Sequence, residues 1–310
     1  MIAWVTGARG FIGRHLAQHL AGQGLRVAGV GHGHWPQAEA LRHGVGEWLN
    51  GEIDESNLDL VASRSGRPDI VYHLAGGASV GASLANPAED YERTVHTTLR
   101  LLDWIRRRCA EVPVLAVSSA AVYGAGHAGP IAESVVGVPF SPYGYHKSMM
   151  ETLCRSYAQN FGLRTAIARV FSAYGPGLRK QLLWDICTRL QTPAAELVLD
   201  GTGTETRDWL DVRDLAAALA QIAARTPTAH CPVLNVGSGS GSTVATVATQ
   251  LLAAAGDGRA LRFSGRVRPG DPAALVADVT ALRALGVPEP RPLAAGVADY
   301  VRWFREQREP

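Results

Sequence analysis

The chain has 310 residues, of which 46% are hydrophobic, and this is enough for one large domain or two coupled ones with a sizeable core. Its formal net charge of +2 argues against a dedicated nucleic-acid binder. Without a signal peptide or membrane span, and with cysteines that lack paired or metal-ligand spacing (Cys109, Cys154, Cys187 and Cys231), the sequence predicts a cytoplasmic protein with reduced thiols and no metal site.

The amino terminus predicts a strand, a glycine turn and a helix in immediate succession. The apolar run "MIAWVT" is typical of a buried strand, "GARGFIG" follows it, and "RHLAQHLAGQG" has a helical pattern. This arrangement presents backbone N–H groups and a positive helix end to a pyrophosphate. We expect Gly7 to permit the turn, Gly10 to allow close backbone approach and Gly13 to let the helix pack on the strand.

Further strands follow, with helical stretches between several of them. They are predicted in "LRVAGVG", "DIVYHLAGG", "VPVLAVSSAAVYG" and "LRTAIARVFSAYG". Alternation of this kind predicts an α/β fold, a doubly wound parallel sheet with helices on both faces. A dinucleotide would bind at the carboxyl ends of these strands.

The stretch "SPYGYHK" places a tyrosine and a lysine on one helical face. Tyr143 and Lys147 are four residues apart, and Pro142 is suited to the first position of a helix. A phenol beside an ammonium is a tuned acid, although the same spacing also occurs by chance in amphipathic helices. The neighbouring motifs have to decide between the two interpretations.

Eight motifs occur in an order that resembles the extended short-chain dehydrogenase/reductases acting on nucleotide sugars. They are, in chain order, "TGARGFIG", "HLAGGASV", "VSSAAVYG", "SPYGYHK", "RVFSAYGPG", "RDWLDVRDLA", "NVGSG" and "RPGDP". The resemblance covers nearly the whole chain. It implies a Rossmann-type dinucleotide-binding domain, residues 1–170 plus about 208–236, and a smaller mixed α/β domain for the nucleotide sugar, about 171–207 plus 237–310. It also implies a homodimer through helices around 94–108 and 145–161.

The resemblance assigns the catalytic roles. It implies that Tyr143 exchanges a proton with the sugar hydroxyl or ketone while hydride moves between that carbon and the nicotinamide. Lys147 would hold the nicotinamide ribose and lower the pKa of the tyrosine. Ser119 would form a hydrogen bond with the reacting oxygen.

The resemblance also implies contacts to both ligands. Those to the dinucleotide are Gly7, Arg9, Gly10, Phe11, Ile12, Gly13, Gly31, His32, Glu52, Ile53, Leu74, Ala75, Gly76, Tyr143 and Lys147. Those to a nucleotide-diphosphate sugar, expected to be UDP-linked, are Ser79, Ser118, Ser119, Ser172, Arg207, Arg268 and Asp271. In the nucleotide-sugar site, Arg207 and Arg268 would bind the diphosphate, and Asp271 would bind the nucleotide ribose. In the dinucleotide site, Glu52 would accept a hydrogen bond from the adenine amino group.

Departures from the family pattern narrow the chemistry. Ala120 and Ala121 stand where sugar dehydratases have an Asp-Glu pair, so elimination of water is not expected. Gly31 stands where members that use NAD carry an acidic residue, and Arg9 could pair with a 2′-phosphate. The preferred cofactor is therefore predicted to be NADP, with NAD as the other choice.

An exchangeable NADPH favours a 4-ketoreductase of a 4-keto(-6-deoxy) sugar nucleotide as the main interpretation. An NAD-dependent UDP-hexose or UDP-N-acetylhexosamine 4-epimerase, which regenerates its cofactor in each cycle, is the alternative. A dinucleotide-binding sensor without turnover is a more remote one, because such relatives generally lose the tyrosine or the lysine and this chain keeps both. No nucleic-acid or membrane partner is expected.

Overall fold

The computed structural model describes residues 1–225, 231–266 and 272–307. Within these ranges the strands are β1 (Ile2–Thr6), β2 (Arg26–Gly31), β3 (Val45–Asn50), β4 (Ile70–His73), β5 (Val114–Ser119), β6 (Pro130–Ile131), β7 (Thr165–Val170), β8 (Ser172–Tyr174), β9 (Glu196–Leu199), β10 (Thr206–Asp211), β11 (Val233–Val236), β12 (Gly241–Thr243), β13 (Ala260–Phe263) and β14 (Ala274–Ala277). The α-helices are α1 (Phe11–Gly22), α2 (Gln37–Arg42), α3 (Glu55–Ser65), α4 (Val80–Ala85), α5 (Pro87–Tyr91), α6 (Thr97–Arg108), α7 (Pro142–Phe161), α8 (Gln181–Arg189), α9 (Val212–Arg225), α10 (Val244–Ala255), α11 (Thr280–Ala284) and α12 (Leu293–Glu306).

Seven strands form the main sheet, in the order β11-β7-β5-β4-β1-β2-β3. All neighbouring strands are parallel. The chain winds in one direction from β1 to β3 and in the other from β4 onward, so a crevice opens beyond the carboxyl ends of β1 and β4. The doubly wound parallel sheet predicted from the sequence is confirmed.

The residues of β1 show why helices cover both faces of this sheet. Ala3 and Val5 lie in one buried cluster, on the side of α1 and α9. Trp4 points to the opposite face, where its ring packs against Trp104 of α6 at a centroid distance of 5.3 Å. The alternation of side chains along a strand thus feeds two separate hydrophobic layers.

A smaller unit is built around a second sheet, in which β12, β10, β14 and β6 pair in that order and β8 also pairs with β10. Its core contains Tyr174, Leu183, Leu251 and Tyr300, contributed by β8, α8, α10 and α12. Strand β10 lies in this second sheet, and α9, which follows it directly, packs against the main sheet's layer. The domain boundaries given by the sequence remain a prediction.

Helix α7 starts where "SPYG" predicts. Ser141 is its N-cap and accepts a hydrogen bond from the Gly144 amide, Pro142 occupies the first helical turn, and Gly162 ends the helix in the left-handed region at φ 70°.

None of the helices in the described ranges is long and apolar enough to cross a membrane.

Candidate active site

A cleft of about 1390 Å³ lies along the carboxyl ends of the main sheet and reaches the smaller unit at β9, β10 and α8. It brings together nearly all of the residues predicted from the sequence: Gly7, Arg9, Gly10, Phe11, Ile12, Gly13, Gly31, His32, Ile53, Leu74, Ala75, Gly76, Ser79, Ser118, Ser119, Tyr143, Lys147, Ser172 and Arg207. Arg268 and Asp271 lie outside the described residues. Among the residues that the structure describes, no group of three or more His, Cys, Asp or Glu side chains could hold a metal ion.

The glycine turn forms a cradle at one end of the cleft. Gly7 has φ +71°, which favours glycine, and its amide donates to the Val30 carbonyl at 3.0 Å. A Cβ added at Gly13 would clash with the Gly7 carbonyl, so helix and turn pack as closely as predicted. Helix α1 begins after Gly10 without a side-chain cap, which leaves its first-turn amides available to a phosphate. These features fit the pyrophosphate of a dinucleotide.

Arg9, Gly31 and His32 line the next part of the cleft. The Arg9 guanidinium lies against Gly33, since a Cβ there would overlap it. Glu52, predicted to contact adenine, has its carboxylate 3.5 Å from His32 Nε2 instead, and both side chains are exposed. The contact of Glu52 with adenine therefore stays a prediction.

The three predicted catalytic residues meet near the middle of the cleft. Ser119, at the end of β5, forms a side-chain hydrogen bond with Tyr143, and the Lys147 ammonium lies 5.9 Å from the centre of the tyrosine ring. Burial raises the pKa of Tyr143, and the hydrogen bond from Ser119 opposes that rise. In the protein alone the expected depression of the Tyr143 pKa is thus absent, because desolvation outweighs the effect of Ser119.

Lys147 is fixed by its surroundings. Its Nζ donates to the Val117 carbonyl at 2.9 Å, and the residue is buried. Burial lowers the pKa of Lys147 to about 8, while the carboxylates of Asp90 and Glu151 act in the opposite direction. A buried ammonium with one backbone partner keeps donors free for hydroxyl groups of a ligand.

Ser118 differs from its neighbour in the direction of its side chain. Its hydroxyl donates to Glu151 at 2.7 Å, and Glu151 also accepts from Arg169 Nε at 2.9 Å. Arg169 continues this buried network to the Tyr123 hydroxyl at 2.9 Å. Although Ser118 borders the cleft, its hydroxyl donates its hydrogen bond to Glu151 in this buried network. This geometry does not support the predicted contact of Ser118 with the substrate.

The smaller unit closes the other end of the cleft. Arg207 and Ser172 line it, as predicted, on β10 and β8. The sequence did not point to Lys180, whose Nζ donates to the Ala78 carbonyl at 3.3 Å and so connects the start of α8 to the loop after β4. No local signal could have indicated this contact, since the two residues are 102 positions apart in the chain.

Comparison with known proteins gives a consistent picture. The sequence profile of the "NAD dependent epimerase/dehydratase family" matches residues 3–237. The chain is 32% identical to a UDP-glucose 4-epimerase of Azospirillum brasilense, with 97% of this chain and 91% of that one aligned.

Solved structures agree with the sequence comparison. A UDP-glucose 4-epimerase of Thermotoga maritima in complex with UDP-glucose superimposes with a TM-score of 0.89 at 28% identity, over 100% of both chains. A UDP-glucose 4-epimerase of Thermus thermophilus in complex with NAD gives a TM-score of 0.84 at 27% identity, over 98% of this chain and 99% of that one.

Proposed function

Because the chain belongs to the NAD-dependent epimerase/dehydratase family, we propose that it interconverts the two C4 epimers of a UDP-hexose or UDP-N-acetylhexosamine, with NAD as the hydride carrier. The observation that carries the proposal is the contact of Tyr143 with Ser119, with Lys147 alongside, in the cleft that also contains the glycine cradle. Acid–base groups for one sugar carbon and a dinucleotide site are thereby adjacent.

This proposal revises two predictions made from the sequence. The UDP-sugar 4-epimerases among the relatives support the epimerase, the alternative interpretation, better than the 4-ketoreductase. The preference for NADP is not supported either, because similar structures, such as the Thermus thermophilus UDP-glucose 4-epimerase, contain NAD. Both predictions gave the missing carboxylate at Gly31 more weight than the remainder of the site.

The residues suit a reversible proton transfer. As general base, Tyr143 would take the proton of the C4 hydroxyl. As general acid, it would return that proton after the keto sugar has rotated to present its other face. Ser119 would donate a hydrogen bond to the same oxygen, and Lys147 would hold the ribose of the dinucleotide. NAD, when bound in the glycine cradle, supplies the acceptor and later the donor of the C4 hydride.

The short helical turn after β5 argues against elimination of water. Ala120 and Ala121 occupy that turn, where the Ser119 hydroxyl accepts from the Ala121 amide at 3.2 Å. Both methyl side chains are buried and line the cleft. A methyl group can neither accept nor deliver a proton, so these positions give no acid–base help at the carbons next to C4.

A second candidate, an NADPH-dependent ketoreductase, is favoured by the position of Arg9 near Gly31. Its guanidinium lies beside the end of β2, where Gly31 has no carboxylate to repel a 2′-phosphate. The variant Arg9→Ser separates the two candidates: it should weaken NADP binding at least about tenfold, for loss of one charge-assisted contact, and leave NAD binding unchanged. Titrating both cofactors onto both proteins measures this.

We also propose that the protein is a homodimer through α6 and α7. Leu99, Tyr145, Met149 and Phe161, which lie on these two helices, are large apolar side chains exposed to solvent. Met149→Arg should convert the dimer to a monomer in light scattering. Leu41→Arg, at an exposed position on α2, is the matched control and should leave the mass unchanged.

The proposed activity is tested by supplying UDP-galactose and UDP-N-acetylgalactosamine to the purified protein without added cofactor and separating the products by chromatography. Conversion to the gluco epimer over many turnovers, with NAD released on denaturation, is the expected result. Consumption of NADPH with a 4-keto-6-deoxy sugar nucleotide, and no epimerisation, would establish the reductase instead.

A further inference from the structure

A buried carboxylate stands close to the proton-transfer residues and has no part in the chemistry described so far. The side chain of Asp90, in α5, is only 4% exposed, and its Oδ2 lies 2.6 Å from His146 Nδ1. His146 directly precedes Lys147 in α7, and its ring packs edge-on against Tyr91. Two helices thus contribute a carboxylate–imidazole pair immediately beside the catalytic lysine.

Asp90 and Lys147 contact the same two-glycine turn after β4. A Cβ added at Gly77 would overlap Asp90 Oδ1, and one added at Gly76 would lie 3.3 Å from Lys147 Nζ. The Gly77 amide donates to Thr94 Oγ1 at 2.8 Å, which holds the turn in this position. Because Gly76 and Gly77 are consecutive, the Asp90 carboxylate and the Lys147 ammonium lie beside the same short turn.

The charge of Asp90 acts on both catalytic groups. Burial raises the pKa of Tyr143 and Asp90 raises it further; burial lowers the pKa of Lys147 and Asp90 opposes that effect. A negative charge favours the protonated form of a phenol and of an ammonium alike. In the described part of the chain, other titratable groups near this cluster are Tyr91, Glu151, Cys154 and His73. The ion pair of Arg93 with Glu89 lies on the same helical segment as Asp90.

We propose that Asp90, held between His146 and the two-glycine turn that Lys147 also approaches, is a positioning residue that acts on the proton transfer through Tyr143. Its carboxylate holds the phenol protonated until the positive nicotinamide ring of the bound dinucleotide favours the phenolate. This inference rests on the proposed function only in taking Tyr143 as the group that transfers the proton.

Ultraviolet titration of the phenolate measures the effect without any sugar substrate. The absorption of the NAD-loaded protein is recorded against pH, and the same titration of Tyr143→Phe is subtracted, so that the difference reports Tyr143 alone. In an Asp90→Asn background the ionisation of Tyr143 should move to lower pH by about 0.5 to 1.5 units, as expected for loss of a charge at this range in a partly desolvated site. Asp90→Glu, which keeps the charge, should restore most of the wild-type value.

A matched control lies on the same segment. Glu92 also contacts a histidine, His96, at 2.6 Å, but its side chain is 62% exposed. Glu92→Gln should move the Tyr143 ionisation by less than about 0.2 unit, because solvent screens that charge. Asp90→Ser removes the same charge in a smaller side chain and serves as the second variant if Asp90→Asn does not fold.

The outcomes separate the two claims. An unchanged Tyr143 ionisation in Asp90→Asn and Asp90→Ser, or an equal shift in Glu92→Gln, would overturn the role of Asp90 even if the protein is an active epimerase. The predicted downward shift in a protein that does not epimerise any UDP-hexose would support that role and overturn the proposed function alone.

Discussion

Replacing Tyr143 with phenylalanine removes one oxygen atom from the centre of the cleft and leaves the rest of the side chain in place. The backbone amide of Tyr143 donates to Ser83 Oγ at 3.0 Å, and this contact does not depend on the phenol. The lost hydroxyl has Ser119 as its side-chain partner in the structure. We therefore expect folding to be disturbed by no more than about 1 kcal/mol, as for a single hydrogen bond.

The effect on turnover should be far larger than the effect on folding. A positioned general acid–base group contributes roughly 10²- to 10⁴-fold to a rate, which corresponds to about 2.7 to 5.5 kcal/mol in the barrier. Since Tyr143 serves in both directions of the proton transfer, kcat should fall by this factor. The affinity for UDP should remain, because we expect Arg207 and not the phenol to bind its diphosphate.

The assay compares kcat for UDP-galactose, UDP binding by calorimetry and the urea midpoint in wild type, Tyr143→Phe and Tyr145→Phe. Tyr145 lies two residues further along α7 and does not line the cleft, so it is the matched control and should keep full activity. Turnover in Tyr143→Phe within tenfold of wild type would refute the reasoning. Equal losses in the two variants would mean that the helix, and not the phenol, had been perturbed.

Three further predictions concern the cofactor site and its support. The ammonium of Lys147, whose pKa burial lowers to about 8, is lost as the pH rises through that value, so kcat should decline on the alkaline side; activity that still increases up to pH 10 would contradict this. Gly13→Ala forces a Cβ against the Gly7 carbonyl and should abolish NAD binding in a fluorescence titration, whereas unimpaired binding would show that the cradle is placed wrongly. Glu151→Gln leaves the buried Arg169 without its anion and should lower the free energy of unfolding by roughly 3 to 5 kcal/mol; a loss below about 1 kcal/mol in urea unfolding would show that the pair is dispensable.

Local sequence patterns were sufficient for the framework of the site. The five strands predicted along the main sheet, the glycine turn after the first one and the start of α7 at Pro142 all depend on neighbouring residues, and the structure confirms them. The spacing of Tyr143 and Lys147 therefore gave their common orientation correctly. Helical and strand periodicity encode this kind of information directly.

The two consecutive serines at the end of β5 can be told apart by the alternation of side chains along a strand. Consecutive residues in a strand point to opposite faces, so Ser118 and Ser119 cannot both face the same ligand squarely. The structure places Ser118 against Glu151 and Ser119 against Tyr143. Strand alternation alone would have assigned one serine to the support and the other to the reaction.

Other features have no local sequence signal. The contact of Asp90 with His146 joins residues 56 positions apart, and β6 pairs with β14, which lies nearly half the chain further on. The segment Glu92–His96 forms a π-helical turn that carries the buried Thr94 toward the two-glycine turn. Burial also decides the pKa directions of Tyr143 and Lys147, and burial is known only after the fold is assembled.

The most direct measurement of the central claim uses UDP-galactose labelled with deuterium at C4 and the purified protein without added cofactor. If hydride leaves C4 and returns to the same carbon within one catalytic cycle, the UDP-glucose formed should retain the deuterium completely. Mass spectrometry of the product reads this out. Loss of the label to solvent, or conversion only when NADPH is supplied and consumed, would contradict the account.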